Sequence, residues 1–185
     1  MRLLVYGSKD FSRVIRVLAA DCGHEVVGCI DDFAAGPEIL GTFAETRTVM
    51  PPAADLGVVI AIGYEHIPAR WQVFERVREA GYQTPALVHP SALVHRLAQI
   101  GDGAFVMAGA NIDLGATIGP LAVVWPGVIV SHESHVGANT FLSPGAILCG
   151  LVSVGEGAFV GAGAVVADHR TVPAGTFIRA AHLYK

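Results

Sequence analysis

In Val136-GANTF-Leu142-SPGAI-Leu148-CGLVS-Val154-GEGAF-Val160-GAGAV-Val166-ADHRT-Val172-PAGTF-Ile178 an aliphatic residue returns every six positions, with no insertion or deletion. Stepped backwards, the same phase runs through Val130, Val124, Ile118, Ile112, Val106, Ile100, Val94 and Val88, so sixteen consecutive hexads carry Val, Leu or Ile at one place. At ordinary aliphatic frequencies such a run has a chance probability on the order of one in a hundred million, which rules out helical and alternating periods as its source.

A hexad is one short strand plus a corner, and three corners close a triangular coil of about eighteen residues. The larger period is visible too: IGDGAF from Ile100, IGPLAV from Ile118, VGANTF from Val136, VGEGAF from Val154 and VPAGTF from Val172 align in one column. Four of these five keep Gly in second place, where a small residue lets the backbone turn and a Cβ would clash. The expected architecture is a parallel β-helix of about five coils, with the aliphatic column pointing inward and stacking coil on coil.

The rest of the chain follows a different grammar. Residues 1–84 alternate short apolar runs with helical patterns, the mark of a small α/β layer structure. Leu3 to Tyr6 reads as a buried strand ending at Gly7, and a helix follows with Phe11, Val14, Ile15 and Leu18 on one side. A second strand spans Val26 to Ile30 and ends at Asp31-Asp32. The segment from Phe33 to Leu56, with Gly36, Pro37, Gly41, Pro51 and Pro52, reads as mostly loop with short elements. Val58 to Ile62 gives a third strand before Gly63, and Pro68 to Ala80 a helix with Trp71, Phe74 and Val77 inward, stopped by Gly81. Ligands of open α/β sheets sit beyond the carboxyl ends of the strands, which marks Gly7 through Phe11, Asp31, Asp32 and Gly63 as one rim. The GSKDFS loop lacks the GxGxxG spacing of a dinucleotide site, so Gly7 alone is as readily a plain turn as a phosphate cradle.

Composition narrows the function classes. The chain has 185 residues, a formal charge of −4 and no basic run or aromatic-rich basic stripe, which argues against nucleic acid as a partner. Cys22, Cys29 and Cys149 are odd in number and lack CxxC spacing, so reduced thiols are the expectation. No apolar run approaches the ~20 residues of a membrane span, and MRLLVYGSKD has too short an apolar part for a signal peptide. A cytoplasmic protein without membrane insertion is expected.

Chemistry is sparse on the β-helix, where only eight Asp, Glu, Lys or Arg residues lie between Val88 and Leu183. Glu156 sits in an ordinary corner. Glu133 sits beside His132 in VSHESH, where the corner would otherwise be Gly or another small residue, and such local rule-breaking concentrates at functional sites. A histidine near neutral pKa can take a proton from an attacking amine or hydroxyl, and a carboxylate can orient it. A solvated corner is the competing reading of the same residues.

Taken in order, several stretches resemble the bacterial sugar acyltransferases of the sialic acid O-acetyltransferase and bacillosamine N-acetyltransferase type. These are the strand and Gly at Gly7, Asp31-Asp32, AIG at Ala61 to Gly63, LVHPSALV at Leu87 to Val94, SHES at Ser131 to Ser134, LSPGAILCG at Leu142 to Gly150 and VGEGAFVGAGAVV at Val154 to Val166. The resemblance implies a Rossmann-like α/β substrate-binding domain over 1–84 and a left-handed β-helix acyltransferase domain over 85–185. It implies acetyl-CoA as co-substrate, an amino or hydroxy sugar as acceptor, and a homotrimer with the coenzyme groove between subunits. His132 then stands for the general base and Glu133 for its orienting acid. Gly150, one eighteen-residue coil after His132, stands for the amide that faces the thioester oxygen, and Ala162 for a second coenzyme contact. Gly7, Lys9, Asp10, Asp31, Asp32 and Gly63 fall at the substrate-binding positions.

The chain departs from the family at three places. The common Gly-rich loop with a histidine is replaced by Asp10-Phe11-Ser12, the Gly-x-x-Asp-Phe form of another branch. A second family histidine falls at Phe141, and the tail AGTFIRAAHLYK is one coil shorter, leaving Arg170, Arg179 and Lys185 as the cations for coenzyme phosphates or simply as solvated surface. Two other readings stay open. One is a zinc enzyme using His132, His135, His89 and His95, although no standard ligand set appears and no metal ligand is assigned. The other is a non-catalytic trimeric ligand-binding or scaffold protein.

Overall fold

The computed structural model describes all 185 residues and divides them into two compact units, Met1–Pro85 and Ala86–Lys185. In the first unit a four-stranded parallel sheet is built from β1 (Arg2–Tyr6), β2 (Glu25–Ile30), β3 (Ile39–Gly41) and β4 (Leu56–Ile60) in the order β3-β2-β1-β4. Helices α1 (Asp10–Asp21), α2 (Phe43–Val49) and α3 (Ile67–Glu79) connect or follow the strands, and a 3-10 turn spans Tyr64–His66. The chain leaves β1 toward β2 on one side and returns to β4 on the other. The β1/β4 boundary is therefore the topological switch point, where the carboxyl ends of an open parallel sheet leave a crevice.

Several sequence expectations shift in detail. The last strand of the sheet is Leu56–Ile60 rather than Val58 to Ile62, because it runs in register with β1 from Arg2↔Leu56 to Tyr6↔Ile60 and stops where β1 stops. On α1 the buried stripe is Ser12, Ile15, Leu18 and Ala19, while Val14 is 38% exposed, so that residue faces outward and not with Ile15. The short elements of the segment after Phe33 are β3 and α2. Thr42 starts α2 with a reciprocal capping box, its hydroxyl accepting from the Glu45 N–H while the Glu45 carboxylate accepts from the Thr42 N–H at 2.8 Å. On α3, Phe74 and Val77 are buried as expected, and Arg70 is buried with them; burial pulls its guanidinium down to about 9, still charged at neutral pH.

The second unit is a parallel β-helix. Its two-residue strands run from Leu87–Val88 to Leu183–Tyr184 and stack into three parallel sheets of five, six and six strands. Every pairing is in register at a spacing of eighteen, as in Thr117↔His135↔Ser153↔Thr171. The sixteen aliphatic residues form three inward columns, one on each sheet, partly covered from Val88 to Ile100 and fully buried from Val106 to Ile178. A second inward set of positions, two residues earlier in each hexad, is mostly Ala or Val but holds Ser134 and Thr140 in mid-course. No helix of the chain is long and apolar enough to cross a membrane.

The glycines divide into two sets with different physical causes. In VGANTF and its kin the second-place Gly has no unusual φ; instead the next coil comes so close that a Cβ on Gly119 would lie 2.7 Å from the Ala138 nitrogen. The other set carries the turn. Gly109, Gly115, Gly127, Gly145, Gly157, Gly163 and Gly175 all have φ between 63° and 69°, the left-handed region that a side chain disfavours. Along one edge this column runs Gly115, Glu133, Leu151 and His169, three of them non-glycine at φ 55°, 59° and 57°. Such positions cost of order 1 kcal/mol or more each and gather at functional sites.

Candidate active site

On that edge, His132 follows Ser131 into the corner and Gly150 occupies the equivalent place one coil on. The imidazole of His132 lies directly over the Gly150 Cα: an added Cβ would sit 2.5 Å from Nε2 and 3.2 Å from Nδ1. Backbone bonds lock the two corners together, with Leu151 N–H donating to the His132 carbonyl at 3.0 Å and His169 N–H to the Gly150 carbonyl at 3.1 Å. The Gly150 N–H donates to no group of the protein. The same corner place is filled by proline at Pro90, Pro120, Pro126 and Pro144, which a turn tolerates only where the N–H is not needed. An exposed imidazole and an uncommitted N–H are thus juxtaposed, a base beside a donor for developing negative charge.

The Glu133 side chain takes the opposite course. Its Cγ lies 3.4 Å from where a Cβ on Gly115 would be, one coil back, and it makes no hydrogen bond to His132. Cys149 is half-buried as a free thiol beside Gly150, its N–H donating to the Val166 carbonyl at 3.0 Å. Of the other histidines, His135 Nδ1 pairs with Thr117 Oγ1 at 2.5 Å and His89 Nδ1 with Ser91 Oγ at 2.8 Å, each engaged within its own face.

In the α/β unit, the rim residues gather at the carboxyl edge of the sheet. Gly7 has φ 112°, and its added Cβ would be 2.7 Å from the Ala61 carbonyl oxygen, so β1 and β4 can leave the sheet this close together only with glycine here. Lys9 is the N-cap of α1 without a side-chain cap bond. Asp10 is the first helical residue rather than the cap, so its exposed carboxylate faces the favourable end of the helix dipole without being spent on a backbone amide. Gly63 opens the 3-10 turn with nothing within 4 Å of its would-be side chain.

The two aspartates act differently from the rest of the rim. Asp31 Oδ2 accepts from Ser8 N–H at 3.1 Å and Ser8 Oγ at 2.5 Å, and Oδ1 from the N–H groups of Phe33 and Ala34 at 2.9 and 3.1 Å. Burial alone would raise this carboxyl, but the hydrogen bonds from Ser8, Phe33 and Ala34 outweigh it and hold it below its ordinary value. With about four acceptor sites on a carboxylate, Asp31 has none left for a ligand. It clamps the Gly7-Ser8 loop to the end of β2. Asp32 accepts from Tyr6 Oη at 2.6 Å, Arg76 Nη2 at 2.7 Å and the Phe43 N–H at 2.8 Å, keeping one site. Arg76 also donates to Tyr6 Oη and lies 5.1 Å over the Phe43 ring. This group walls an open cleft of about 610 Å³ between α2 and α3 that Arg47 and Glu79 also line.

Residues 2–77 match the family model of the PglD N-terminal domain. Over its full length the chain is 29% identical to PerB from Caulobacter crescentus, solved in complex with CoA and GDP-perosamine, covering 89% of that chain with a TM-score of 0.91. Over its whole length the chain is similar in sequence and fold to sugar acetyltransferases. A second similar structure is the acetyltransferase domain of PglB from Neisseria gonorrhoeae, 27% identical over all of this chain and 91% of that one, TM-score 0.87. In its complex with acetyl coenzyme A the same domain is 28% identical over 97% of this chain and 88% of that one, TM-score 0.84. No curated protein matches the sequence.

Two further expected positions lie away from the His132 edge. Ala162 stands on another edge of the triangle, exposed, its carbonyl accepting from Ala181 N–H at 2.8 Å. Phe141, in the place of the second family histidine, is buried in a column with Val123 and Phe159. Sequence reasoning missed Tyr6, Phe43 and Arg76, whose meeting depends on the sheet order. It also missed Ser134, whose polarity in an otherwise Ala and Val column was the available signal.

Proposed function

We propose that the chain transfers an acetyl group from acetyl-CoA to the amine or hydroxyl of a nucleotide-linked sugar by direct attack. The observation that carries this reading is the seating of the His132 ring on Gly150. His132 takes the proton of the acceptor as its nitrogen or oxygen attacks the thioester carbonyl, the Gly150 N–H donates to the oxyanion, and the proton passes to the departing CoA sulfur. The carbon–sulfur bond breaks as the new amide or ester forms, and no acyl-enzyme is required. The relatives solved with acetyl coenzyme A, and with CoA and GDP-perosamine, support the two substrate classes.

The rim of the α/β unit is the acceptor site in this reading. Gly7, Lys9, Asp10 and Gly63 line the switch-point crevice, Asp32 offers its remaining acceptor site, and Asp31 holds Ser8 in place. Release of free CoA thiol, measured over a panel of amino and hydroxy sugars with and without a nucleoside diphosphate, tests the proposal. Acetyl-CoA binding without thiol release from any acceptor would overturn it in favour of a ligand-binding scaffold.

Assembly belongs to the same proposal. The outward residues of one β-helix face are Leu93, Asn111, Ile129, Ile147, Val165 and Leu183, and Leu93 and Leu183 are 69% and 49% exposed. An apolar, nearly uncharged sheet face suits burial between identical copies. A homotrimer is expected by light scattering; a fully active monomer would refute this part.

A further inference from the structure

We infer that Ser134 is a positioning residue that sets the geometry of the His132–Gly150 pair, a role that rests on the function proposed above. Its side chain points into the coil, 1% exposed, in a column where its neighbours along the same edge are Ala116 and Val152. A hydroxyl there loses its water and must find partners in the protein. Ser134 Oγ donates to the Cys149 carbonyl at 2.8 Å and accepts from the Val152 N–H at 3.1 Å. Those two groups are the ends of the turn Cys149-Gly150-Leu151-Val152.

The two preceding turns on this edge close without help, whereas the last, Ala167 to Arg170, has no such direct bond. Ala116 N–H donates straight to the Asp113 carbonyl at 3.1 Å, and Ser134 N–H to the Ser131 carbonyl at 3.3 Å. At the Gly150 turn the direct bond is missing, and the Ser134 hydroxyl is inserted in its place. The turn is therefore propped from inside the coil by a residue two places after His132. The outside of the same turn is the surface of Gly150 on which the imidazole rests. Leu151, held at φ 59°, is the strained residue this prop supports.

Removing the hydroxyl while keeping the volume lets the turn close directly or leaves Val152 N–H unpaired, and either outcome moves Gly150 relative to His132. Thr is the conservative rescue. Thr140, at the equivalent place on the next edge, is fully buried, and its own hydroxyl donates to the Gly155 carbonyl at 3.2 Å.

The experiment compares wild type, Ser134→Ala and Ser134→Thr by steady-state kinetics and by NMR of the His132 Cε1–H and Gly150 amide resonances. Ser134→Ala should lower kcat about tenfold. The KM for acetyl-CoA and the pH midpoint of kcat/KM should hold, and both resonances should shift. Ser134→Thr should recover most of kcat and the wild-type resonances. Unmoved resonances with unchanged kcat in a folded Ser134→Ala protein would overturn the inference, as would equal losses in the Ala and Thr variants. Should Ser134→Ala fail to fold, the resonances and kcat of Ser134→Thr decide, wild-type values supporting the role and displaced ones refuting it. A wild type that transfers no acetyl group defeats the proposed function instead, and leaves the resonance comparison to judge the prop alone.

Discussion

Replacing Gly150 by Ala puts a methyl group where the His132 ring now rests. The added carbon would start 2.4 Å from Cε1 and 2.5 Å from Nε2, and ordinary contact begins near 3.4 Å, so the ring must retreat by about 1 Å. His132 is exposed and the Gly150 backbone is not in the left-handed region, so the imidazole can swing outward with little disturbance of the coil. A misplacement of about 1 Å can cost on the order of 10²-fold in rate, or about 2.7 kcal/mol of transition-state stabilisation. Gly150→Ala should therefore keep a melting temperature within a few degrees of wild type and lose about 10²-fold in kcat with little change in acetyl-CoA binding. Gly150→Pro, a residue already accepted at this corner place by Pro120 and Pro144, also removes the N–H and should lose about 10²- to 10³-fold more, the effect of deleting an oxyanion donor. Thiol release gives kcat and calorimetry gives acetyl-CoA affinity. Near wild-type turnover in Gly150→Ala would show that the ring and the glycine are neighbours by packing alone.

His132→Ala should lower turnover by roughly 10² to 10⁴ while acetyl-CoA still binds, and an equally active variant would remove the base assignment. Cys149→Ala should stay active, whereas a trapped acetyl group on Cys149 would require a covalent route. Nucleoside diphosphates titrated by calorimetry should bind more tightly to Asp10→Gly and more weakly to Lys9→Ala, since a carboxylate a few Å from a phosphate in a wet cleft costs about 1 kcal/mol; indifference of both variants would move the phosphate away from this loop. Because the Asp31 carboxyl is held below its ordinary value of 3.8, its contribution to stability is present above that pH and fades as the pH falls through the lower folded value. Urea unfolding should find Asp31→Asn less stable than wild type by about 1–3 kcal/mol at pH 7, with the gap narrowing at pH 3; an equal gap at both would refute the linkage.

The β-helix was legible because its order is set by one-dimensional periodicity: a residue's face and depth follow from its position modulo six and its edge from its position modulo eighteen. His132 and Gly150 could be placed together by counting. Glu133 could not be placed, since the count gives its corner and not its rotamer, and its stem turns back over Gly115. The α/β unit yielded less, because its meetings are made by strands far apart in sequence. Asp31 and Asp32 were located on the rim, but nothing local revealed that Ser8, Phe33 and Ala34 exhaust the first, or that Tyr6, Arg76 and Phe43 hold the second. Ser134 was visible in SHES, yet its meaning lay in the absent bond of a turn fifteen to eighteen residues away.

The in-register ladder has a consequence for how such a chain can change length. His132 meets Gly150 only because the intervening segment closes one whole coil, as Ile129↔Ile147 and His135↔Ser153 pair on either side. One residue gained or lost between them would carry every later side chain to the opposite face, driving polar corners into the core. A whole coil inserted beyond Gly150 would leave the pair untouched and simply lengthen the prism. Viable length variants of this domain are thus quantised in multiples of eighteen. The segment between His132 and Gly150 tolerates no indel at all, a pattern that deep insertion scanning would display as one silent gap in an otherwise periodic map.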